Sequence, residues 1–335
     1  MAKIVCAGLA VCDILIRPVD RNVFDLDSVY PQYVGMSTGG DALNVAVNLS
    51  KLGMGEDLLL VANIGDDVFG SFVEDVLRRK HVVTHGLKRL ADTPTAMSFI
   101  LIEDCGERHF ICIAGANQML CVDDILACIG ADTQYLHLSS LMALPRLEAA
   151  NLRALFEAAK KRGIHTSFDM TSAAAEDWLS AIREGLPWTD TLFMSENEVQ
   201  NCLKYPTSSE DAARVFHDLG AKEVVFKLGE KGCYVSKATR ESFFAPAYRG
   251  QRIVDTTGAG DAFVSAYLYG KIHNLTSLEC AVIGNANGVL AASALGASEG
   301  TATLAGMIDF LKGNGTNGLV PVDRLIDKLE SFNMY

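Results

Sequence analysis

The feature that most constrains the fold is the alternation of short apolar runs with longer amphipathic stretches. Ile4 to Ala7 and Leu58 to Val61 are short and apolar, and the helix-like stretches Ala42 to Leu52 and Phe69 to Arg79 follow them. Strands that alternate with helices of this length indicate βαβ units, whose strands run parallel. The first part of the chain therefore predicts the beginning of a doubly wound α/β sheet.

The same alternation returns in the middle of the chain. Strand-like and helix-like stretches follow in the order Tyr135 to Leu138, Arg146 to Arg162, Thr166 to Phe168, Thr191 to Met194, Asp211 to Leu219 and Val224 to Phe226. From Gly258 onward the sequence is mainly helical. The apolar stretch Ala281 to Ala297 contains two asparagines, so it predicts a buried helix rather than a membrane span.

Two stretches interrupt this rhythm, residues 13–38 and 96–117. In the second, AMSFILIED and ERHFICIAG alternate in hydrophobicity around Asp104-Cys105-Gly106, a pattern typical of a β-hairpin. A few inserted strands cannot bury both of their faces, so they should cover a cleft, a partner or both. We predict a small β-strand lid formed by 13–38 and 96–117, inserted into an α/β core of residues 1–12, 39–95 and 118–335.

The charge balance excludes some classes of partner. The 335 residues include 41 acidic and 29 basic ones, a net charge of −12, which disfavours nucleic acid and anionic membranes and favours a small molecule. The nine cysteines contain no C-x-x-C pair and mostly lie among apolar neighbours, which indicates buried, reduced thiols. Together with an amino terminus that resembles an opening strand, this predicts a cytoplasmic protein.

The segment with the clearest chemistry is VDTTGAGDAF, residues 254–263, which leads into a helix-like stretch. Its glycines allow the amides of Gly258, Ala259 and Gly260 to converge at the positive end of a helix, where an anion would bind. Convergent amides can also stabilise the charge that develops in phosphoryl transfer. Asp261 lies in the first helical turn beside them, where it could be the base that accepts a proton from a substrate hydroxyl.

Three other interpretations compete with this one. The glycines and Asp261 could simply form an ordinary helix start. A dinucleotide-dependent oxidoreductase would have G-x-G-x-x-G after the first strand, but GLAVCD stands there. A P-loop kinase would have G-x-x-x-x-G-K followed by serine or threonine, which the sequence lacks.

The segment DTTGAGDAF, residues 255–263, resembles the carboxy-terminal signature of the ribokinase-like PfkB carbohydrate and nucleoside kinases. GGDALN, residues 39–44, is similar to the glycine pair and asparagine of the same family, and the pattern of strands and helices resembles it over residues 2–311. The resemblance implies a ribokinase-like three-layer α/β/α fold. It also implies ATP-dependent phosphorylation of a hydroxyl on a small carbohydrate, with a nucleoside kinase or a non-catalytic sugar or nucleoside sensor as alternatives.

The resemblance gives roles to particular residues. Asp261 becomes the catalytic base, and Gly258, Ala259 and Gly260 form the anion hole. The acceptor pocket is assigned to Asp13, Gly39, Gly40 and Asn44, and Asn117 could reach the acceptor from above. From the residues alone, Asp13 could equally be a turn residue and Asn44 a helix cap or core amide, while Asp41 and Arg108 are weaker candidates.

The nucleotide and its ions are predicted less directly. Contacts to ATP are expected from Lys227, Gly229, Gly258 and Asn287. In this family an asparagine followed three residues later by glutamate is linked to Mg²⁺; Glu198 matches, but Ser195 replaces the asparagine, and the two could instead form a capping box. Asp255 and Thr257 stand where some members bind K⁺. The apolar strands of the lid predict a homodimer formed through it.

Overall fold

A nine-stranded sheet forms the centre of the protein. The computed structural model describes residues 2–171, 177–294, 296–298 and 300–332, so the predicted outer limits at residues 1 and 335 lie outside the described residues. In chain order the strands are β1 (Ile4–Ala7), β4 (Leu58–Gly65), β5 (Leu87–Leu90), β8 (Tyr135–Leu138), β9 (His165–Phe168), β10 (Thr191–Ser195), β11 (Glu223–Lys227), β12 (Gly232–Lys237) and β13 (Ser242–Pro246). Their spatial order is β13-β12-β11-β10-β9-β8-β1-β4-β5.

The sheet is parallel from β5 to β11, which confirms the doubly wound arrangement expected from the sequence. Strands β12 and β13 extend it in antiparallel direction and were not predicted. Alternate side chains of β1 enter two separate apolar cores, Ile4 and Cys6 on one face and Val5 and Ala7 on the other. Both faces of the sheet are therefore covered.

Helices form the two outer layers. They are α1 (Asp41–Leu49), α2 (Val68–Arg79), α3 (Val122–Cys128), α4 (Ala150–Lys161), α5 (Trp178–Arg183), α6 (Glu196–Leu203), α7 (Ser209–Asp218), α8 (Ala259–Ile272), α9 (Ser277–Ala292), α10 (Leu304–Asn314) and α11 (Val322–Phe332). The core that contains Ile4 includes residues of α1, α2 and α8 to α11, and the opposite core includes residues of α3 to α7. Helix α9 is the buried helix predicted near residue 281, and among the described helices none has the length and apolar character that a membrane span requires.

A second, small sheet has four strands: β2 (Val11–Arg17), β3 (Tyr33–Gly39), β6 (Ala96–Ile102) and β7 (Arg108–Ile113). Their order is β3-β2-β6-β7, and β6 and β7 form the predicted hairpin around Cys105. All nine cysteines are free, but only five are buried; Cys105 and Cys112 are exposed because they lie in the hairpin turn and in an edge strand. The action of this small sheet as a lid stays a prediction.

A buried carboxylate fixes helix α8 to the large sheet. Glu223, the first residue of β11, accepts hydrogen bonds from the Tyr267 hydroxyl of α8 at 3.0 Å and from the Ser277 hydroxyl of α9 at 2.6 Å. The Lys271 ammonium lies 3.2 Å from the same carboxylate. A buried charge with three partners on α8 and α9 holds α8 in a fixed position, because these bonds would break if the helix moved.

We expect Glu223→Ala to destabilise the fold strongly. The change leaves the buried Tyr267 hydroxyl and the Lys271 ammonium without their acceptor, a loss of about 3 kcal/mol in the free energy of unfolding. Urea denaturation at neutral pH measures it. As a matched control, Glu241→Ala removes an exposed carboxylate that pairs with Lys237, and should change the free energy by less than about 1 kcal/mol. Equal losses for both variants would contradict the anchoring role.

Candidate active site

Polar residues gather where the parallel strands end. Asp169 directly follows β9, Ser195 is the last residue of β10, and Lys227 is the last residue of β11. Ser140 lies two residues after β8. The carboxyl ends of parallel strands meet at one edge of a sheet, which is where open α/β sheets bind ligands. This edge therefore contains the candidate site.

The glycine turn begins helix α8 at this edge. Gly258 is the residue before the helix and has a φ of +73°, and a Cβ atom there would lie 2.1 Å from the Ala297 carbonyl oxygen. Position 258 therefore requires glycine. Among the described residues, the amides of Gly258 and Gly260 have no hydrogen-bond acceptor, whereas the Ala259 amide donates to the Thr256 carbonyl at 3.2 Å. The donors open to an anion are thus fewer than predicted.

Asp261 lies in the first turn of α8, and an asparagine holds its carboxylate. The Asn44 side chain in α1 donates a hydrogen bond of 2.8 Å from Nδ2 to Asp261 Oδ2. Asn44 is buried, and its own Oδ1 has no partner among the described residues. Burial raises the pKa of Asp261 well above its usual range, and the charges of Asp41 and Asp169 raise it further. A raised pKa makes the Asp261 carboxylate a stronger proton acceptor than an ordinary aspartate.

A lysine ammonium lies between the carboxylates and the glycine turn. A Cβ atom at Gly260 would lie 3.4 Å from Lys227 Nζ, so this cation is next to the turn. Burial lowers the pKa of Lys227, but nearby carboxylates raise it above its usual value overall. These carboxylates belong to Glu198, Asp169, Asp261 and Asp41. The lysine remains charged, and it can attract a phosphate group.

Ser140 connects two of these carboxylates. Its hydroxyl donates to Asp41 Oδ2 at 2.5 Å, and its amide donates to Asp169 Oδ1 at 2.8 Å. Burial, followed by the charge of Asp169, raises the pKa of Asp41 to about 7. The contact explains why Asp41, a weak candidate from sequence, lies within the site.

Sequence reasoning missed Asp169. It is 1% exposed, and its Oδ2 has no hydrogen-bond partner among the described residues; His137 Nε2 lies 3.6 Å away. A buried carboxylate oxygen without a donor is costly unless a ligand or water binds it. No motif marks this residue, but its position immediately after a parallel strand was a signal that could have identified it.

Glu198 has a structural contact as well as a place in the site. It forms the predicted capping box at the start of α6, because its Oε2 accepts from the Ser195 amide at 2.6 Å and the Ser195 hydroxyl accepts from the Glu198 amide at 3.3 Å. Burial raises the pKa of Glu198, while the charge of Lys227 lowers it. The capping box uses only Oε2 of the Glu198 carboxylate, so Oε1 takes no part in it.

Asp13 and the glycine pair lie where the small sheet joins α1. A Cβ atom at Gly39 would lie 2.3 Å from Asp13 Oδ2, so only glycine leaves room for this carboxylate. Gly40 has a φ of +90° and precedes α1, and a Cβ atom there would lie 2.6 Å from the Leu9 carbonyl oxygen. Burial raises the pKa of Asp13 to about 6. The two glycines thus bring Asp13 and α1 together.

Two predicted ligand-binding asparagines have structural contacts instead. The Asn117 side chain bonds both backbone groups of Ala10, accepting at 3.2 Å and donating at 3.1 Å, so it holds the start of β2 rather than reaching toward an acceptor. Asn287 is fully buried and bonds the Ala262 carbonyl and the Ala302 amide, so it connects α8 to the segment before α10. A buried amide that bonds backbone and a ligand-binding amide look alike in sequence, so the ligand contacts of both residues stay predictions.

The remaining predicted residues follow strand β11 or directly precede the glycine turn. Gly229 has a φ of +58° and begins a short 3₁₀ turn after β11, where a side chain would meet no neighbour. Asp255 accepts a hydrogen bond of 2.9 Å from the Thr257 amide. Its carboxylate also forms an ion pair with Arg108 of β7, at 2.7 Å. The turn thus contacts the small sheet directly.

Comparison with curated proteins finds sugar kinases. The chain is 27% identical over 258 residues to an uncharacterized sugar kinase of Archaeoglobus fulgidus, an alignment that covers 76% of this chain and 98% of that protein. It is 29% identical over 250 residues to fructokinase-1 of Zea mays, covering 72% and 76% of the two chains.

Comparison with solved structures confirms the fold. The structure of Arabidopsis thaliana ribokinase complexed with ribose and ATP matches with a TM-score of 0.80 at 22% identity, covering 93% of this chain and 99% of that one. The large sheet with helices on both faces is therefore the ribokinase-like three-layer fold. The sequence model described as "pfkB family carbohydrate kinase" matches residues 1–304. This match over most of its length places the chain in the pfkB family of carbohydrate kinases.

Proposed function

We propose that this chain transfers the γ-phosphoryl group of ATP to a hydroxyl of a small sugar, with Asp261 as the base. One observation carries the proposal: the Asp261 carboxylate, oriented by Asn44 at 2.8 Å, lies in the helical turn that begins with the amides of Gly258 and Gly260, which bond no acceptor in the described part of the chain. Proton acceptor and anion donors are adjacent, which is the arrangement that in-line phosphoryl transfer requires. The fructokinase and sugar kinase relatives support a sugar over a nucleoside.

In this mechanism the sugar hydroxyl gives its proton to Asp261 while its oxygen attacks the γ-phosphorus of ATP. The bond between the γ-phosphorus and the β,γ-bridging oxygen breaks, so ADP and a sugar phosphate leave. The amides of Gly258 and Gly260 stabilise the negative charge on the transferred group. Lys227, next to Gly260, adds a fixed positive charge on the same side. Gly229 lies in the turn after β11, the strand that ends with Lys227, and its lack of a side chain leaves room for the nucleotide.

The carboxylates at the sheet edge fit a magnesium ion. Mg²⁺ prefers oxygen ligands and usually keeps several waters, so one or two carboxylates are sufficient. The buried, unpartnered Oδ2 of Asp169 suits it, and Glu198 keeps Oε1 outside its capping bond. We propose that these two residues hold Mg²⁺, directly or through water, and that the ion offsets phosphate charge when it is bound.

The sugar is proposed to bind between the small sheet and α1. Asp13 offers a half-buried carboxylate against Gly39, and a carboxylate can accept hydrogen bonds from two hydroxyls of one sugar. In this arrangement the small sheet covers the acceptor. The intact Asp261 argues against a sensor that binds a sugar without turning it over.

A screen for ADP release with magnesium-ATP tests the function. Ribose, fructose, 2-keto-3-deoxygluconate, common hexoses and nucleosides are offered as acceptors. We expect turnover with a sugar, and Asp261→Asn should reduce it by at least about two orders of magnitude, since a positioned base contributes that much. The exposed Asp309→Asn is the matched control and should leave turnover unchanged. Near-normal turnover in Asp261→Asn rejects the assigned base, and nucleoside-only turnover rejects the sugar.

The pH profile tests the coupling of the carboxylates. Asp261 must be ionised to accept a proton, and its raised pKa means that kcat/KM should fall as pH decreases through a range well above that of an ordinary aspartate. Asp41→Asn removes a nearby negative charge, which lowers the pKa of Asp261, so the acidic limb should move to lower pH. A limb that stays in place, or moves upward, contradicts the coupling.

We also propose a homodimer formed through the small sheet. Val34 and Met36 in edge strand β3, and Phe110 and Ile111 in edge strand β7, are exposed apolar side chains. Apolar edges of this kind are protected when another chain covers them.

Sedimentation velocity tests the proposed dimer. We expect the wild-type protein to sediment as a dimer and Ile111→Lys to sediment as a monomer, since a lysine would bury an unpaired charge in the interface. Val68→Lys alters an exposed apolar residue of α2, outside the small sheet, and should leave the dimer intact. A wild-type monomer at all concentrations excludes this interface.

A further inference from the structure

An ion pair joins the small sheet to the loop that precedes the glycine turn. Arg108, the first residue of β7, donates from Nη2 to Asp255 Oδ2 at 2.7 Å and from Nη1 to the Thr257 hydroxyl. The Asp255 side chain is 4% exposed and that of Arg108 is 24% exposed. The pair is therefore shielded from water, unlike an ordinary surface ion pair.

The Asp255 carboxylate also connects two backbone segments. Its Oδ1 accepts from the Thr257 amide at 2.9 Å, and its Oδ2 accepts from the Gly296 amide at 3.0 Å. These segments form the walls of the glycine turn, since Ala297 contacts Gly258 directly. Although burial opposes ionisation, the bond from Arg108 and these backbone bonds hold the pKa of Asp255 below its usual range. The carboxylate is charged and needs a cation beside it.

We propose that Arg108 supplies the positive charge at Asp255, so that the chain positions its glycine turn without a monovalent cation. The inference rests on the proposed kinase function and corrects the expected K⁺ site at Asp255 and Thr257. K⁺ is bound by oxygen atoms, but here the arginine already occupies both Oδ2 of Asp255 and the Thr257 hydroxyl. Arg108 is a positioning residue, since it acts on the phosphate through the turn.

An arginine suits this position for two reasons. Its guanidinium is always charged and offers several donors in a fixed plane, so one side chain can bind a carboxylate and a hydroxyl together. It also belongs to the hairpin β6–β7, whereas Asp255 belongs to the core. The positive charge is thus part of the small sheet. The Arg108 guanidinium reaches Asp255 only when the small sheet has the position it has in this structure.

The experiment compares potassium chloride with N-methylglucamine chloride at equal ionic strength. Wild-type turnover should differ by no more than about twofold, since both salts screen charge equally. Arg108→Gln should lose roughly tenfold or more in N-methylglucamine chloride, because the turn is displaced, and potassium should restore part of the loss. Arg108→Lys keeps the charge and should remain indifferent to potassium. Arg21→Gln, an exposed arginine of the same small sheet region, is the control and should behave as wild type.

Thermal unfolding without ATP gives a second measurement. Potassium should raise the melting temperature of Arg108→Gln relative to N-methylglucamine, and leave that of the wild type unchanged. Activation of the wild type by potassium, or an Arg108→Gln variant that is indifferent to potassium in both measurements, overturns the inference. If the wild type phosphorylates no acceptor in either salt, the proposed function fails, and the melting temperatures still decide whether Arg108 replaces the cation.

Discussion

The site depends on one ammonium group that offsets several carboxylates. Lys227 lies among Asp41, Asp169, Glu198 and Asp261 at the edge of the large sheet, and their charges keep its pKa high despite burial. Each carboxylate disfavours ionisation of the next, and the charge of Lys227 opposes this by lowering the pKa of Asp41, Glu198 and Asp261. A protonated Asp261 could not act as a base. In the proposed mechanism, the lysine therefore links the ionisation of Asp261 to the binding of phosphate.

The large sheet brings this group together from distant parts of the chain. Strands β9, β10 and β11 end beside one another, which places Asp169, Glu198 and Lys227 at one edge, while α1 and α8 approach from one face with Asn44 and Asp261. The fixed position of α8 depends in turn on Glu223, at the opposite end of β11 from Lys227. A single strand thus holds the helix that contains Asp261 at one end and carries the Lys227 ammonium at the other.

Much of the fold could be predicted from the sequence because the alternation of strands and helices is regular, and local glycine chemistry identified the turn at residues 258–260. Strands β12 and β13 were missed because a short antiparallel extension lacks the helix that marks a βαβ unit. The burial of Asn117 and Asn287 could not be predicted, because sequence gives the type of a polar side chain but not its surroundings. Asp169 carried no motif, so only its position after a strand could have identified it.

The connections between the two sheets have a further consequence. Strand β2 begins four residues after β1 ends, and β3 ends one residue before Gly40, which leads directly into α1. With such short connections, a tilt of the small sheet must shift Asp13 and the first turn of α1, and Asn44 in that turn bonds Asp261. The tilt of the sheet and the orientation of the Asp261 carboxylate therefore belong to a single conformational equilibrium, and any ligand that favours one tilt also favours one orientation.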